Sequence, residues 1–153
     1  MPSPGRSHAL ASDLGLLLIR LMLAAVFVFH GSQKLFGWFD GHGIRGTAGF
    51  FDSLGIPMAT TSAVVAGAAE FFGGLVLLLG TGTRLAAVPL IVTMLVATFT
   101  AHYGFDAARG GMEYALTLAV VLTGLLLMGP GRFTLLRLIR KDRTSPRPNR
   151  ASR

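Results

Sequence analysis

LGLLLIRLMLAAVFVFHGSQKLFG, residues 14–37, decides the fold. A helix needs about 20 mostly apolar residues to cross a hydrocarbon layer about 30 Å thick, and this run supplies them with only Arg20 and Lys34 charged. It is too long for a secretory signal, no small-x-small cleavage site follows it, and Arg20 would sit inside the signal's apolar region. Residues 14–37 therefore predict a membrane span that stays in the protein.

Working outward, three further runs of similar character follow, at about 57–80, 84–105 and 112–128. Punctuation sets their limits: Pro57 opens a helix, Thr81-Gly82-Thr83 and Arg109-Gly110-Gly111 turn the chain, and Gly129-Pro130-Gly131 stops the last helix. The expected fold is an all-α membrane protein, a four-helix transmembrane bundle over 14–129. A cytoplasmic segment, 1–13, precedes it, and a basic cytoplasmic tail, 130–153, follows, disordered beyond Arg140 for want of apolar periodicity. Orientation follows from Lys and Arg in the short loops. With both termini cytoplasmic, that side holds Arg6, Arg84 and the eight basic residues of 132–153, against Arg45 and Arg109 on the other. The expected location is a prokaryotic-type plasma (inner) membrane. Between the first two spans, residues 47–54 with Phe50, Phe51 and Leu54 on one side read either as a short helix on the outer surface or as a loop of membrane-belt aromatics.

Composition closes off other classes. Of 153 residues, 52% are hydrophobic and 14% charged, too little polar surface to enclose that much apolar material in water. The net charge of +7 gathers after the last apolar run, without aromatics interleaved on an exposed face, so no nucleic-acid partner is expected and the lipid bilayer is. The absence of cysteine removes disulfides, thiolate catalysis, iron–sulfur clusters and a thiol relay. No phosphate loop, no nucleophile beside a base and no acidic metal cluster occurs, so no metal site is expected and the chain is not expected to be an enzyme on its own.

Charged groups inside a span cost at least about 2.5 kcal/mol each, so they need partners and usually mark a site. The candidates are Arg20, His30, Gln33 and Lys34 in the first span, Glu70 in the second, His102 in the third and Glu113 at the head of the fourth. At 100° per residue, Arg20, Ala24, Phe27, Gly31 and Lys34 share one stripe, and Ala63, Gly67, Glu70 and Gly74 another. The small residues around Glu70 imply a close neighbouring helix, so Glu70 faces the bundle. The last span repeats the pattern with Glu113, Thr117, Val120 and Gly124. Depth separates a carboxylate zone at Glu70 from an outer cluster of Lys34, His102, Glu113 and Tyr114, with His30 and Gln33 beside it. Arg20 and Glu70, about 9 and 15 Å inside the cytoplasmic ends, could pair, although the tilt of each Cβ toward its helix N-terminus points them apart. Glu70 is then either half of a register-fixing ion pair with Arg20 or Lys34, or a carboxylate that accepts protons or binds a ligand. His30 and His102 raise a bis-histidine haem, which their crowded polar surroundings disfavour.

Ile19-Arg20-Leu21, His30-Gly31-Ser32-Gln33-Lys34-Leu35-Phe36-Gly37, Leu54-Gly55-Ile56-Pro57, Ala69-Glu70-Phe71-Phe72-Gly73-Gly74 and Leu79-Gly80-Thr81-Gly82-Thr83-Arg84, in this order and spacing, resemble the DoxX family of small four-helix membrane proteins. The likeness is strongest in the first two spans. It implies a membrane part of an oxidoreductase or redox-stress system, with the family's recurrent Arg, Lys and Glu falling on Arg20, Lys34 and Glu70. Three functions stay open: a redox subunit that binds a quinone-like molecule or docks a partner oxidoreductase, a proton-coupled small-molecule carrier, and a scaffold without chemistry, any of them compatible with a homo-oligomer. No intrinsic cofactor is expected beyond such a quinone.

Overall fold

The computed structural model of the chain describes residues 4–135, together with 137 and 139. The disorder expected beyond Arg140 falls outside these residues. Among the described residues there are five α-helices and no strand: α1 (Pro4–Phe36), α2 (Gly43–Ser53), α3 (Ala59–Leu79), α4 (Thr83–Thr100) and α5 (Glu113–Met128), with a single 3-10 turn at Ala107–Arg109 before α5. By length and apolarity, Ala9–Phe36, Ala59–Leu79 and Thr83–Thr100 can each cross a membrane; Glu113–Met128 is apolar but shorter.

The turn signals act where the sequence places them. Gly80 and Gly82, both at φ +71, let the chain reverse between α3 and α4 with only three residues outside helices, a left-handed conformation that side chains with a Cβ resist. Three boundaries differ from expectation, the first being that of α1, which begins at Pro4, ten residues before the expected start of the first span. The segment before α3 is a helix of eleven residues that starts at Gly43, not at 47, and buries Thr47 and Ala48. The third long helix ends at Thr100, so His102 lies just past it.

α1 packs chiefly on α3 and α5 on α4, α3 joins the two pairs, and α1 meets α5 only weakly. Glycines make the α1–α3 contact close. A Cβ on Gly31 would lie 2.4 Å from the Phe71 backbone nitrogen, one on Gly74 2.9 Å from the Val28 nitrogen, and one on Gly67 2.9 Å from Leu35. As the α1 number rises by three or four, the α3 number falls by as much, so the helices are antiparallel with backbones nearly touching. Gly31→Ala is expected to force them apart and to lower stability by about 1–3 kcal/mol, read as a downshift of thermal unfolding in detergent.

The expected inward stripes of α1 and α3 are in place: Arg20, Ala24, Phe27 and Gly31 are buried, as are Ala63, Gly67, Glu70 and Gly74. The stripe expected on the last helix is not. Val120 is 63% exposed and Thr117 is exposed, while Ala115, Ala119, Leu122 and Leu125 turn inward. Small Ala115 and Ala119 let α5 settle against α4, and the wide apolar surface of α5 left its polar residues no say in the choice of face. Leu23, Leu77, Leu90, Leu122 and Leu125 fill one half of the bundle as an apolar core. The other half is hollow.

Candidate functional site

The antiparallel register decides which charges meet. Gly67 leaves room for the stem of Lys34, whose Cβ lies 3.2 Å from where a Gly67 Cβ would be, and the Lys34 ammonium reaches Glu70 Oε2 at 2.5 Å. Side chains tilt toward their helix N-termini, so Lys34 leans inward along α1 while Glu70, on the opposed helix, leans outward to meet it. The Lys34 side chain is 25% exposed and that of Glu70 only 2%.

The same register excludes Arg20 from this pair. A Cβ on Gly80 would sit 2.7 Å from the Arg20 guanidinium carbon, and ten residues of helix, about 15 Å, separate Gly80 from Glu70. Arg20 instead donates from Nη1 to the Pro130 carbonyl and from Nη2 to the Phe133 carbonyl, each at 2.5 Å. Of the two pairings left open for Glu70, with Arg20 or with Lys34, the structure therefore has the second, and Arg20 clamps the segment that follows α5. Arg84 donates to the Leu127 carbonyl at 3.1 Å nearby, and Asp13 accepts from the Arg132 backbone at 2.9 Å. Cations here meet the carbonyl-rich end of α5, where the helix dipole favours them.

Around Glu70 the hollow half of the bundle holds a cavity of about 740 Å³, walled by α1, α3, α4, α5, the aromatic side of α2 and the α2–α3 connection. Most of its lining is apolar, with a few polar groups at fixed places, which is the usual make-up of a small-molecule site. Four of the candidates meet there: His30, Lys34, Glu70 and His102. Gln33 stands behind His30, accepting from its Nδ1 at 3.0 Å while its own amide nitrogen donates to the Phe39 carbonyl at 3.1 Å. His102 folds back, and its Nδ1 donates to the Ala97 carbonyl at 2.7 Å, which brings the ring to the cavity although the residue lies beyond α4.

Glu113 does not take part. Its Oε1 accepts from the Ala107 backbone nitrogen at 2.9 Å, so its work is to hold the exposed turn before α5. Tyr114, its neighbour, does line the cavity. Sequence reasoning missed the hydroxyls of Ser62, Thr93 and Thr100, which also line it. Thr93, Ala97 and Thr100 recur at helical spacing, and that small, hydroxyl-bearing stripe was the available signal. Among the described residues no group of three His, Cys, Asp or Glu side chains gathers to hold a metal ion.

Chemically, the site offers a buried carboxylate with one oxygen committed to an ammonium. The other, Oε1, has no hydrogen-bond partner among the described residues and is open to a proton or a ligand.

A small all-α membrane protein, with a close-packed helix pair carrying a buried Lys–Glu bridge at the wall of an apolar cavity, is the class that fold and site define. The family whose model matches is DoxX, over residues 15–103, and the chain belongs to it. That stretch contains Arg20, His30, Lys34, Glu70 and His102 and stops short of α5. The chain is 37% identical over 139 residues to the "Uncharacterized membrane protein Rv3486" of Mycobacterium tuberculosis, covering 83% of this chain and 82% of that protein. It is 33% identical over 88 residues to the "Putative oxidoreductase CatD" of Bacillus subtilis, covering 58% and 60%. It is 28% identical over 131 residues to the "Inner membrane protein YqjF" of Escherichia coli, covering 84% and 95%. No solved structure matches the chain.

Proposed function

We propose that this DoxX-family protein binds a small, largely apolar, quinone-like molecule in the cavity beside Glu70, as the membrane part of an oxidoreductase or redox-stress assembly. The observation that carries this reading is a mostly apolar cavity of about 740 Å³ with a 98% buried carboxylate in its wall. A charge held so deep is costly, and a scaffold gains nothing from leaving one of its oxygens open toward a void. The word oxidoreductase belongs to the Bacillus subtilis relative, and it supports the redox assignment here only by similarity. In this reading Glu70 accepts or passes a proton, Lys34 pairs with it, and His30 and His102 hydrogen-bond the ligand's polar end.

The reading includes four crossings with both termini cytoplasmic. Support comes from α5, which lies along α4, and from Arg84 and Arg132, which reach the same end of the bundle while Arg45 in α2 and Arg109 in the 3-10 turn belong to the connections at the other.

The test is binding of an alkyl-substituted hydroquinone, kept reduced, to the purified protein in lipid nanodiscs. Glu70→Gln is expected to weaken it by about tenfold or more, the loss of one charge-assisted interaction. A folded Glu70→Gln protein that binds as the wild type does removes Glu70 from the site.

A further inference from the structure

The hydrogen-bond partners around the cavity restrict what kind of polar group it can receive. Hydroxyls and neutral imidazoles can both donate and accept, so the direction each one uses depends on what its proton already serves. Around this cavity the protons are largely spent on the protein itself.

His30 comes first. The Gln33 amide nitrogen donates to the Phe39 carbonyl, so Gln33 Oε1 is the atom facing His30 and can only accept; Nδ1 of His30 carries the proton. In the neutral ring this leaves Nε2 as an acceptor. His102 follows the same rule by a separate route, since the Ala97 carbonyl accepts from its Nδ1 and again leaves Nε2 as the open nitrogen. The wall hydroxyls are committed too: Ser62 donates to the Pro57 carbonyl at 2.8 Å, Thr93 to Pro89 at 2.9 Å and Thr100 to Val96 at 2.7 Å. Glu70 Oε1 is an acceptor by nature. Against these, the donors still open are the remaining N–H bonds of Lys34 and the hydroxyls of Thr61 and Tyr114, two residues that are themselves exposed.

A cavity wall with acceptors in excess repels a carbonyl oxygen and satisfies a hydroxyl. A site built to receive an O–H group also discriminates strongly against an analogue that lacks it, because its own acceptors are then left without a partner in an apolar place. We infer that the cavity selects ligands that donate hydrogen bonds, apolar molecules with phenol or hydroquinone hydroxyls, over the corresponding carbonyl compounds. This rests on the proposed ligand site and specifies the ligand's chemistry there: the two hydroxyls of a hydroquinone find their acceptors among Glu70 Oε1 and the two imidazole nitrogens, while its alkyl part occupies the apolar remainder.

The experiment uses the full chain in nanodiscs and two matched probe pairs. The first pair is an alkyl hydroquinone, kept reduced under anaerobic conditions, and its benzoquinone. The second is redox-inert, an alkylphenol and its methyl ether, in which a methyl group replaces the donated proton. The hydroxyl member of each pair is expected to bind about tenfold tighter, as one ordinary hydrogen bond gives. His30→Phe and His102→Phe are each expected to shrink that ratio toward one by weakening the hydroxyl compound more than its partner. A benzoquinone and a methyl ether that bind as tightly as their hydroxyl counterparts overturn the inference while leaving a ligand site at Glu70 standing. Folded protein that binds none of the four probes overturns the site along with it.

Discussion

Lys34→Met is expected to destabilise the folded protein by about 3–5 kcal/mol, because it leaves a buried carboxylate without its cation. Glu70 lies on α3 between Gly67 and Gly74, where α1 approaches closely, and its side chain is only 2% exposed, so bulk water does not solvate the carboxylate that the ammonium leaves behind. The paired change Lys34→Met with Glu70→Leu removes both charges and is expected to recover most of the loss, since well-packed apolar residues replace a buried pair at little cost. Equilibrium unfolding in mixed micelles, compared across the wild type, the two single variants and the double variant, measures the coupling directly. A Lys34→Met protein within about 1 kcal/mol of wild type would show that the bridge does not support the fold.

Arg20→Met is expected to cost a similar amount, about 3–5 kcal/mol, by a different route. Arg20 is 2% exposed, and its guanidinium lies against Gly80 and satisfies the Pro130 and Phe133 carbonyls, two charge-assisted hydrogen bonds lost at once. The loss should be local in its signature. Hydrogen exchange at residues 130–134, where Thr134 is now buried, should accelerate, while the α1–α3 contact around Gly31 keeps its protection. Unchanged exchange in 130–134 would show that Arg20 does not hold this segment. The two variants also separate the ends of the bundle: Lys34→Met should impair ligand binding, and Arg20→Met should leave the affinity of the folded fraction close to wild type.

Much of the bundle was legible in the residues. Hydropathy and Gly or Pro punctuation located the four long helices, and the 100° rule found the buried faces of α1 and α3, because there small and polar residues coincide on one stripe. Glu70 and Lys34 follow from those faces, and His30 and His102 from being polar residues within apolar runs, although His102 reaches the cavity from beyond the helix end. What one helix at a time cannot show is register between helices. Whether Glu70 meets Arg20 or Lys34 depends on Gly31 lying against Phe71 and Gly74 against Val28, contacts between residues about 40 positions apart that carry no periodic mark. The inward face of α5 was missed for a related reason: its apolar residues surround it, so a stripe containing Glu113 and Thr117 looked distinctive while packing on α4 decided otherwise. Glu113 itself went to a turn that needed an acceptor at Ala107.

The Arg20 clamp also orders events in time. Arg20 emerges from the ribosome 110 residues before Pro130 and 113 before Phe133, so its two acceptors are synthesised only after every long helix is complete. Until they arrive, a guanidinium in the first apolar segment has to keep water or lipid headgroups as partners. Final seating of α1 therefore waits for the residues that follow α5, and a chain stopped before them carries its unfinished state as an uncompensated charge at the mouth of the bundle.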